Sequence, residues 1–287
     1  VVRVGRVAAQ SDLPELLAAE PAWSGWPPVI MRDTVASTMD EVRTLAEEGS
    51  PEGTVVLARE QRAGRGRHGR RWESAADRGV WLSVLLRPTA SIEQVGLLPL
   101  VVGLAVRDSL AQRYGVNVVV KWPNDVLVSS VHSGDESWLK VAGILAEVLP
   151  GGAVVVGVGV NIGDAHTLPS TAASLRASLL DAAATLPEHD ERARTRVAAG
   201  VLADIAASYR KWCTGDWDFS RYRENCITIG RQVHVQHLTD PSGRSLSGEQ
   251  GLTAVAVNDA GQLIVRDVSG AEHTVSAGDV SLAPPYE

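Results

Sequence analysis

Cysteine is nearly missing from this chain, with only Cys213 and Cys226 among 287 residues. Two thiols are too few for the disulfide framework of a small secreted scaffold or for a cysteine-ligated zinc site, and they read as reduced cytosolic thiols. Aromatic residues make up only 5%, which leaves little stacking surface for single-stranded nucleic acid. Positive charge is in deficit too. Lys and Arg total 27 against 34 Asp and Glu, a net charge of −7, so a general nucleic-acid binder with a basic surface is disfavoured. No window reaches the roughly 18 apolar residues of a membrane span. The opening "VVRVGRVAAQ" has no apolar run followed by a small-residue cleavage site. A cytoplasmic protein with no membrane or nucleic-acid partner is expected. Repeats and low-complexity tracts are absent, and 45% hydrophobic with 21% charged residues is ordinary globular composition. The length leaves room for one large domain and a small one.

Against that acidic background stands "GRGRHGRRW", residues 64–72. Four arginines, Arg65, Arg67, Arg70 and Arg71, alternate with Gly64, Gly66 and Gly69, and Trp72 closes the run. Like charges this close repel, and glycines raise the entropic cost of holding them still. The spacing Gly64-x-Gly66-x-x-Gly69 formally matches a dinucleotide fingerprint, but that motif needs a helix directly after the glycines. Here polar residues lead into another strand. A Rossmann site is excluded, and no G-x-x-x-x-G-K-[ST] occurs. Three alternatives stay open from the stretch alone: a solvated charge run, an RNA-binding arginine segment, or a loop ordered by phosphate, whose oxygens guanidinium groups bind in pairs.

Periodicity divides the rest. Residues 1–28 form a lead-in, with a short helical pattern in "SDLPELLAAE" and a packed "PAWSGWPP". Ser37 starts a helix in which Met39, Val42, Leu45 and Ala46 keep helical spacing, and Gly49 ends it. "TVVLA" and "GVWLSVLL" are strands flanking the arginine loop, and 93–113 is a long amphipathic helix. "VNVVVKWPNDVLV", "WLKVAGILAEVL" and "GAVVVGVGVNI" follow as three adjacent strands, the first two a hairpin turning at "SSVHSGDES". A polar loop and helix fall near 164–186, and a helix at 191–212. From Ile227 the pattern switches to short strands between Gly, Asp and Asn turns, a small β-barrel of about 60 residues. The boundary falls near 226: a catalytic domain at 1–226 and a barrel domain at 227–287.

Three further segments carry chemistry. "KWPNDV" ends a strand and sets Asn124 and Asp125 beside Pro123; taken alone it is a plain turn. "KVAGIL" places Lys140 at a strand start, followed by small Ala142 and Gly143. "GVGVN" puts Gly157 and Gly159 on one strand face, where a ligand or another backbone can approach, and ends on Asn161.

In this order, "GRGRHGRRW", "KWPND", "KVAGIL" and "GVGVN" resemble the biotin protein ligase family, closely over residues 35–165. The stretch 227–283 is similar to that family's C-terminal SH3-like domain. The resemblance implies an α+β fold, a mixed β-sheet flanked by helices with a small C-terminal SH3-like barrel. It implies biotin and ATP as substrates, with Mg²⁺, giving biotinyl-5′-adenylate, and then transfer to a lysine of a biotin carboxyl carrier domain. Lys140 would contact the biotin carboxylate and the α-phosphate, and Arg65 and Arg67 would line the adenylate. Asp125 would orient or deprotonate the acceptor lysine. Ser37, Thr38, Gln61, Gly64, Arg65, Lys140 and Gly143 would hold biotin, Ser37 doubling as a helix cap. Arg67, Arg70, Trp72, Asn124, Gly157, Gly159 and Asn161 would hold the nucleotide. Asn124 would help hold the nucleotide or its magnesium, other metal ligands are unknown, and monomer and homodimer stay open. The family often reads Ser-Thr-Asn where this chain has Ser37-Thr38-Met39, so an asparagine contact at the biotin end is missing. The helix-turn-helix of the family's repressor members is also absent, so operator binding is not expected. A lipoate or octanoate ligase of the same superfamily, and a non-catalytic nucleotide or RNA-binding module, are the alternative functions.

Overall fold

The computed structural model describes residues 12–132, 135–163, 191–236, 251–276 and 279–282. Its larger sheet holds β1 (Ile30–Val35), β2 (Val55–Gln61), β3 (Gly79–Leu86), β4 (Val118–Lys121), β5 (Asp125–His132), β6 (Asp135–Val148) and β7 (Val154–Asn161). The order across the sheet is β1-β2-β3-β7-β6-β5-β4. β1 and β2 run parallel and the other neighbouring pairs antiparallel, so the sheet is mixed, as expected.

Alternation along the strands sorts the two faces. Val80, Leu82, Val84 and Leu86 of β3, with Val154, Val156, Val158 and Val160 of β7, bury against α1 (Leu13–Ala18), α4 (Leu98–Tyr114) and α5 (Glu191–Thr214). The intervening residues Leu85 and Val155 meet α2 (Thr38–Glu47) through Met39 and Val42. Gly157, Gly159 and Asn161 share the α2 face by the same parity. The lead-in is packed, with Leu13, Leu17 and Trp23 in the larger core.

Several expectations need correction. The helix expected at 93–113 is two helices, α3 (Ile92–Val95) and α4, broken around Gly96. Nor is α4 amphipathic: Leu98, Leu100, Val101, Val102, Leu104, Ala105, Val106 and Leu110 are all buried. It is covered on opposite sides, because Leu98 and Val102 join the sheet core while Leu100 and Leu104 join a second core. The segment Glu93–Tyr114 is long and apolar enough by composition to cross a membrane, but 67% of its most apolar window is buried within the fold, which marks a core helix. Residues 116–128, expected as one strand, are two. β4 and β5 pair around a turn at Trp122-Pro123-Asn124, where proline removes a ladder donor. The following hairpin continues to His132↔Asp135, so most of the "SSVHSGDES" stretch is strand. The loop and helix expected near 164–186 lie outside the described residues.

After α6 (Phe219–Glu224) the chain forms β8 (Gln232–Gln236), β9 (Leu252–Val257), β10 (Leu263–Arg266), β11 (Glu272–Val275) and β12 (Asp279–Leu282). These make an antiparallel sheet in the order β11-β10-β9-β8-β12, consistent with the expected small barrel. Its core is shared with the larger unit: Val233, Leu252, Val265 and Val280 pack with Leu100, Leu104, Val120 and Trp122. Trp122 binds both ways, its amide donating to the Thr228 hydroxyl at 3.0 Å and its indole N–H to the Gly261 carbonyl at 2.9 Å.

Candidate active site

On the α2 face of the sheet lies a cavity of about 550 Å³. Every residue assigned above to biotin, nucleotide or catalysis lines it except Gly64. Gly64 sits behind it at the root of the arginine loop, where a Cβ would come within 2.4 Å of the Trp72 carbonyl oxygen.

One end of the cavity is a closed hydrogen-bond chain. The Thr38 amide and hydroxyl donate to Gln61 Oε1 at 2.8 and 3.0 Å, Gln61 Nε2 donates to Ser74 Oγ at 2.8 Å, and the Thr38 and Ser83 hydroxyls lie 2.7 Å apart. Thr38 and Ser83 are buried, so each bond fixes a polar group that would otherwise be costly to leave unmet. Ser37 does cap α2, its hydroxyl accepting from the Met39 amide at 3.3 Å. Met39, in the asparagine position of the resembled motif, lies over Gly157, where a Cβ would meet its sulfur at 2.9 Å.

The middle of the cavity is a trough stripped of side chains. A Cβ on Gly159 would lie 2.5 Å from Trp72 Nε1, and one on Gly143 2.9 Å from Trp72 Cζ3. The Trp72 indole therefore rests on the backbones of β6 and β7, edge-on to Trp81 at 6.5 Å. Its buried Nε1–H has no hydrogen-bond partner among the described residues. The Lys140 ammonium lies 5.1 Å from the Trp72 ring centroid, a cation–π distance, and pairs with Asp125 Oδ1 at 2.5 Å. Lys140 and Gly143 are three apart and would face opposite ways on a regular strand. A bulge solves this: the register jumps from Val126↔Ala142 to Leu127↔Lys140, leaving Val141 as the extra residue.

The far end belongs to the nucleotide candidates. Asn124 is locked to β6, its Nδ2 donating to the Ile144 carbonyl at 3.0 Å while its own carbonyl accepts from the Ile144 amide at 2.9 Å. Its Oδ1 accepts from Arg67 Nη1 at 3.3 Å. Burial pushes the Arg67 guanidinium below its usual pKa, with Asp125 opposing; an arginine so shifted stays charged. Asn161 is buried, its Nδ2 donating to the Lys140 carbonyl at 3.5 Å.

The arginine loop itself is a short hairpin. Trp72 N–H donates to the Gly64 carbonyl at 2.9 Å and Gly66 N–H to the Arg70 carbonyl at 2.7 Å, and Arg65 bridges Arg71. The tip turns through left-handed backbone at His68 (φ 54°) and Gly69 (φ 73°). Arg67 and Arg70 reach the cavity. Arg65 also lines it, and at the loop root its Nη2 lies 2.9 Å from Asp40 and 3.5 Å from Glu147, an ion-pair approach without hydrogen-bond geometry. The sequence did not single out Ser83, Ser74, Lys121, or the second sheet's Val280 and Ser281, which complete the chain and the walls. The strand alternation in "GVWLSVLL" marks Ser83 as the polar misfit; nothing local points to Val280 and Ser281.

Residues 32–162 match the Biotin/lipoate A/B protein ligase family. A curated biotin–[acetyl-CoA-carboxylase] ligase of Mycobacterium tuberculosis is 35% identical over 267 residues, 90% of either chain. The chain belongs to the biotin protein ligase family. Among solved structures, a biotin protein ligase from Aquifex aeolicus in complex with biotin and ATP superposes with a TM-score of 0.69 at 25% identity, covering 90% of this chain and 99% of that one. One from Leishmania major in complex with biotinyl-5-AMP gives 0.53 at 26%, covering 88% and 99%. Biotin protein ligases thus share this chain's mixed sheet and its second antiparallel sheet.

Proposed function

We propose that this protein activates biotin with ATP and passes the biotinyl group to a lysine of a biotin carboxyl carrier domain. In the first step a biotin carboxylate oxygen attacks the α-phosphorus of ATP, and the bond to pyrophosphate breaks. In the second a neutral lysine amine attacks the acyl carbon, and AMP leaves.

The observation that carries this proposal is the meeting of Lys140 with a floor of glycine backbone, covered by the Trp72 indole, under the arginine hairpin. Two anions must approach each other, so positive charge fixed beforehand is the main catalytic requirement. Lys140 receives the carboxylate and the α-phosphate; an incoming anion competes with Asp125 for its ammonium. Arg67, turned inward beside Asn124, and Arg70 at the hairpin tip meet the nucleotide phosphates. Ser37, Thr38 and Gln61 line the cavity and carry the donors and acceptors that a cyclic urea needs, with Ser83 backing Thr38 and Met39 supplying an apolar wall over Gly157. Once Lys140 is engaged by substrate, the Asp125 carboxylate accepts the proton of the acceptor amine. Magnesium would arrive with the ATP phosphates and neutralise part of their charge, and Asn124 is the residue that would help hold it or the nucleotide. The boundary near 226 divides a substrate-binding unit from a barrel that closes one wall of the cavity.

The test is to mix the protein with magnesium-ATP, biotin and a carrier domain, and to weigh the carrier. A mass gain of one biotinyl group on its lysine is expected. ATP–pyrophosphate exchange that responds to lipoate and ignores biotin would overturn the assignment in favour of a lipoate ligase.

A further inference from the structure

Arg65 stands apart from the other loop arginines. Its guanidinium faces the root of the loop, where Asp40 Oδ1 lies 2.9 Å and Glu147 Oε2 3.5 Å from Nη2. The same two carboxylates pair with Arg43, Asp40 at 2.8 Å and Glu147 closer still. Two cations and two anions thus close on themselves with no net charge. A cluster balanced in charge holds its members close, and part of its effect falls on Arg65, whose Nε and Nη2 are buried without hydrogen-bond geometry to either carboxylate.

The two carboxylates come from informative places. Asp40 stands in the first turn of α2, directly after Ser37 and Thr38. Glu147 lies on β6, the strand that carries Lys140 and Gly143. The loop stem is therefore tied to the element bearing the biotin-end hydroxyls and to the strand bearing the lysine. The backbone supplies the complementary freedom beyond Arg65. Gly66 has contacts at its Cβ position no closer than 3.3 Å, Gly69 has none within 4 Å, and the tip beyond Gly66 turns through left-handed backbone at His68 and Gly69.

Building on the function proposed above, we propose that Asp40 and Glu147 are positioning residues: they pin Arg65 as the fixed root of the arginine hairpin, so that only the tip from Gly66 to Arg70 moves to cover and uncover the adenylate. Without the pin the stem swings with the tip, and the reactive mixed anhydride is shielded less well. The pairs are about one-third exposed, with Arg65 at 33%, Asp40 at 46% and Glu147 at 29%, so solvent screening limits their effect on global stability. Their effect on the loop is read through retention of the intermediate.

The experiment forms biotinyl-5′-AMP on the protein from biotin and magnesium-ATP, removes excess substrate, and follows escape of the adenylate into solution without a carrier. D40N and E147Q are each expected to release it about five- to tenfold faster than the parent, as loss of one charged, partly screened contact implies. Their rates of biotin-dependent ATP–pyrophosphate exchange should stay within about twofold, on the same grounds. D40E, which keeps the charge, should restore retention at least partly. R43Q frees both carboxylates for Arg65 and should hold the adenylate as long as the parent. Limited trypsin digestion should cut the 65–71 stretch faster in D40N and E147Q only. Parental retention in both D40N and E147Q, or equal leakage from R43Q, would overturn the pin. A parent that makes no biotinyl-5′-AMP at all would instead overturn the proposed function.

Discussion

Lys140 and Asp125 face each other at 2.5 Å from adjacent strands, with the Trp72 ring beneath the ammonium. The pair keeps a partly buried cation neutralised and aimed into the trough. Under the proposed function it would also set the order of events, with the carboxylate free to serve as a base only when another anion holds the lysine. Lys140→Ala should lower biotin-dependent ATP–pyrophosphate exchange by at least about 10²- to 10³-fold, the usual effect of removing one well-aimed charge-stabilising donor. A variant with normal thermal melting and parental exchange would remove Lys140 from the chemistry.

Arg67→Gly keeps the hairpin stem but removes the buried guanidinium that reaches Asn124. It should leak biotinyl-5′-AMP freely, seen as biotinylation of bystander proteins that are not carriers, while adenylate formation continues. Bystander labelling no greater than the parent's would mean that the loop tip does not retain the intermediate.

A methyl group on the trough floor tests the role of its shape. Gly159→Ala would place carbon 2.5 Å from Trp72 Nε1 and 2.6 Å from its Cε2, so the indole must move. Overpacking of this kind costs about 1–3 kcal/mol. The expected result is a lowered melting temperature and a shifted tryptophan emission, with KM for ATP raised more than KM for biotin. Equal KM values for both substrates would show that the trough is not part of the nucleotide site.

Trp122→Phe tests the seam between the two sheets. The variant fills most of the same buried space but loses the indole donor to Gly261, leaving a carbonyl without that partner. About 1–2 kcal/mol of stability should go with it. Because Asn124 and Asp125 follow two and three residues later, KM for ATP should rise as well. Unchanged KM with lowered stability would confine Trp122 to packing.

The glycine face was legible in the sequence because it depends on residue type at close spacing, whereas Lys140 stood out only through the family resemblance. Gly157 and Gly159 share a face by simple parity, and Gly143 follows Lys140 by three. What parity could not supply was the bulge at Val141, which turns Lys140 onto the face of Gly143; a bulge is fixed by the partner strand, not by its own residues. The break at Trp122-Pro123-Asn124 was written in the proline yet lost in an apolar run that reads as one strand. Helix α4 was misjudged for a related reason. Its pattern looked one-sided until the second sheet, more than a hundred residues later in the chain, covered the other side through Leu100 and Leu104. Arg65 shows the limit for charges: all four loop arginines look alike in sequence, and nothing in it shows that Arg65 lies beside the carboxylates of Asp40 and Glu147.

The two cysteines give a check on burial that is independent of activity. Cys226 is buried at the start of the second unit, bridging Val120, and burial pushes its thiol pKa up, with hydrogen bonds from Thr228 partly offsetting this. Cys213 lies exposed near the end of α5; partial burial raises its thiol as well, against a hydrogen bond from Tyr209. The thiolate is the reactive species, so raising a thiol pKa slows modification at a given pH. A disulfide-exchange reagent at pH 8 should titrate one thiol in the folded protein, more slowly than a free cysteine and faster as pH rises. It should titrate both thiols in denaturant. Biotin with magnesium-ATP should leave the single accessible thiol unchanged, because neither cysteine lines the cavity. Rapid modification of both thiols in the folded protein would mean that the seam around Val120 and Cys226 opens readily, and the shared core between the two sheets would have to be redrawn.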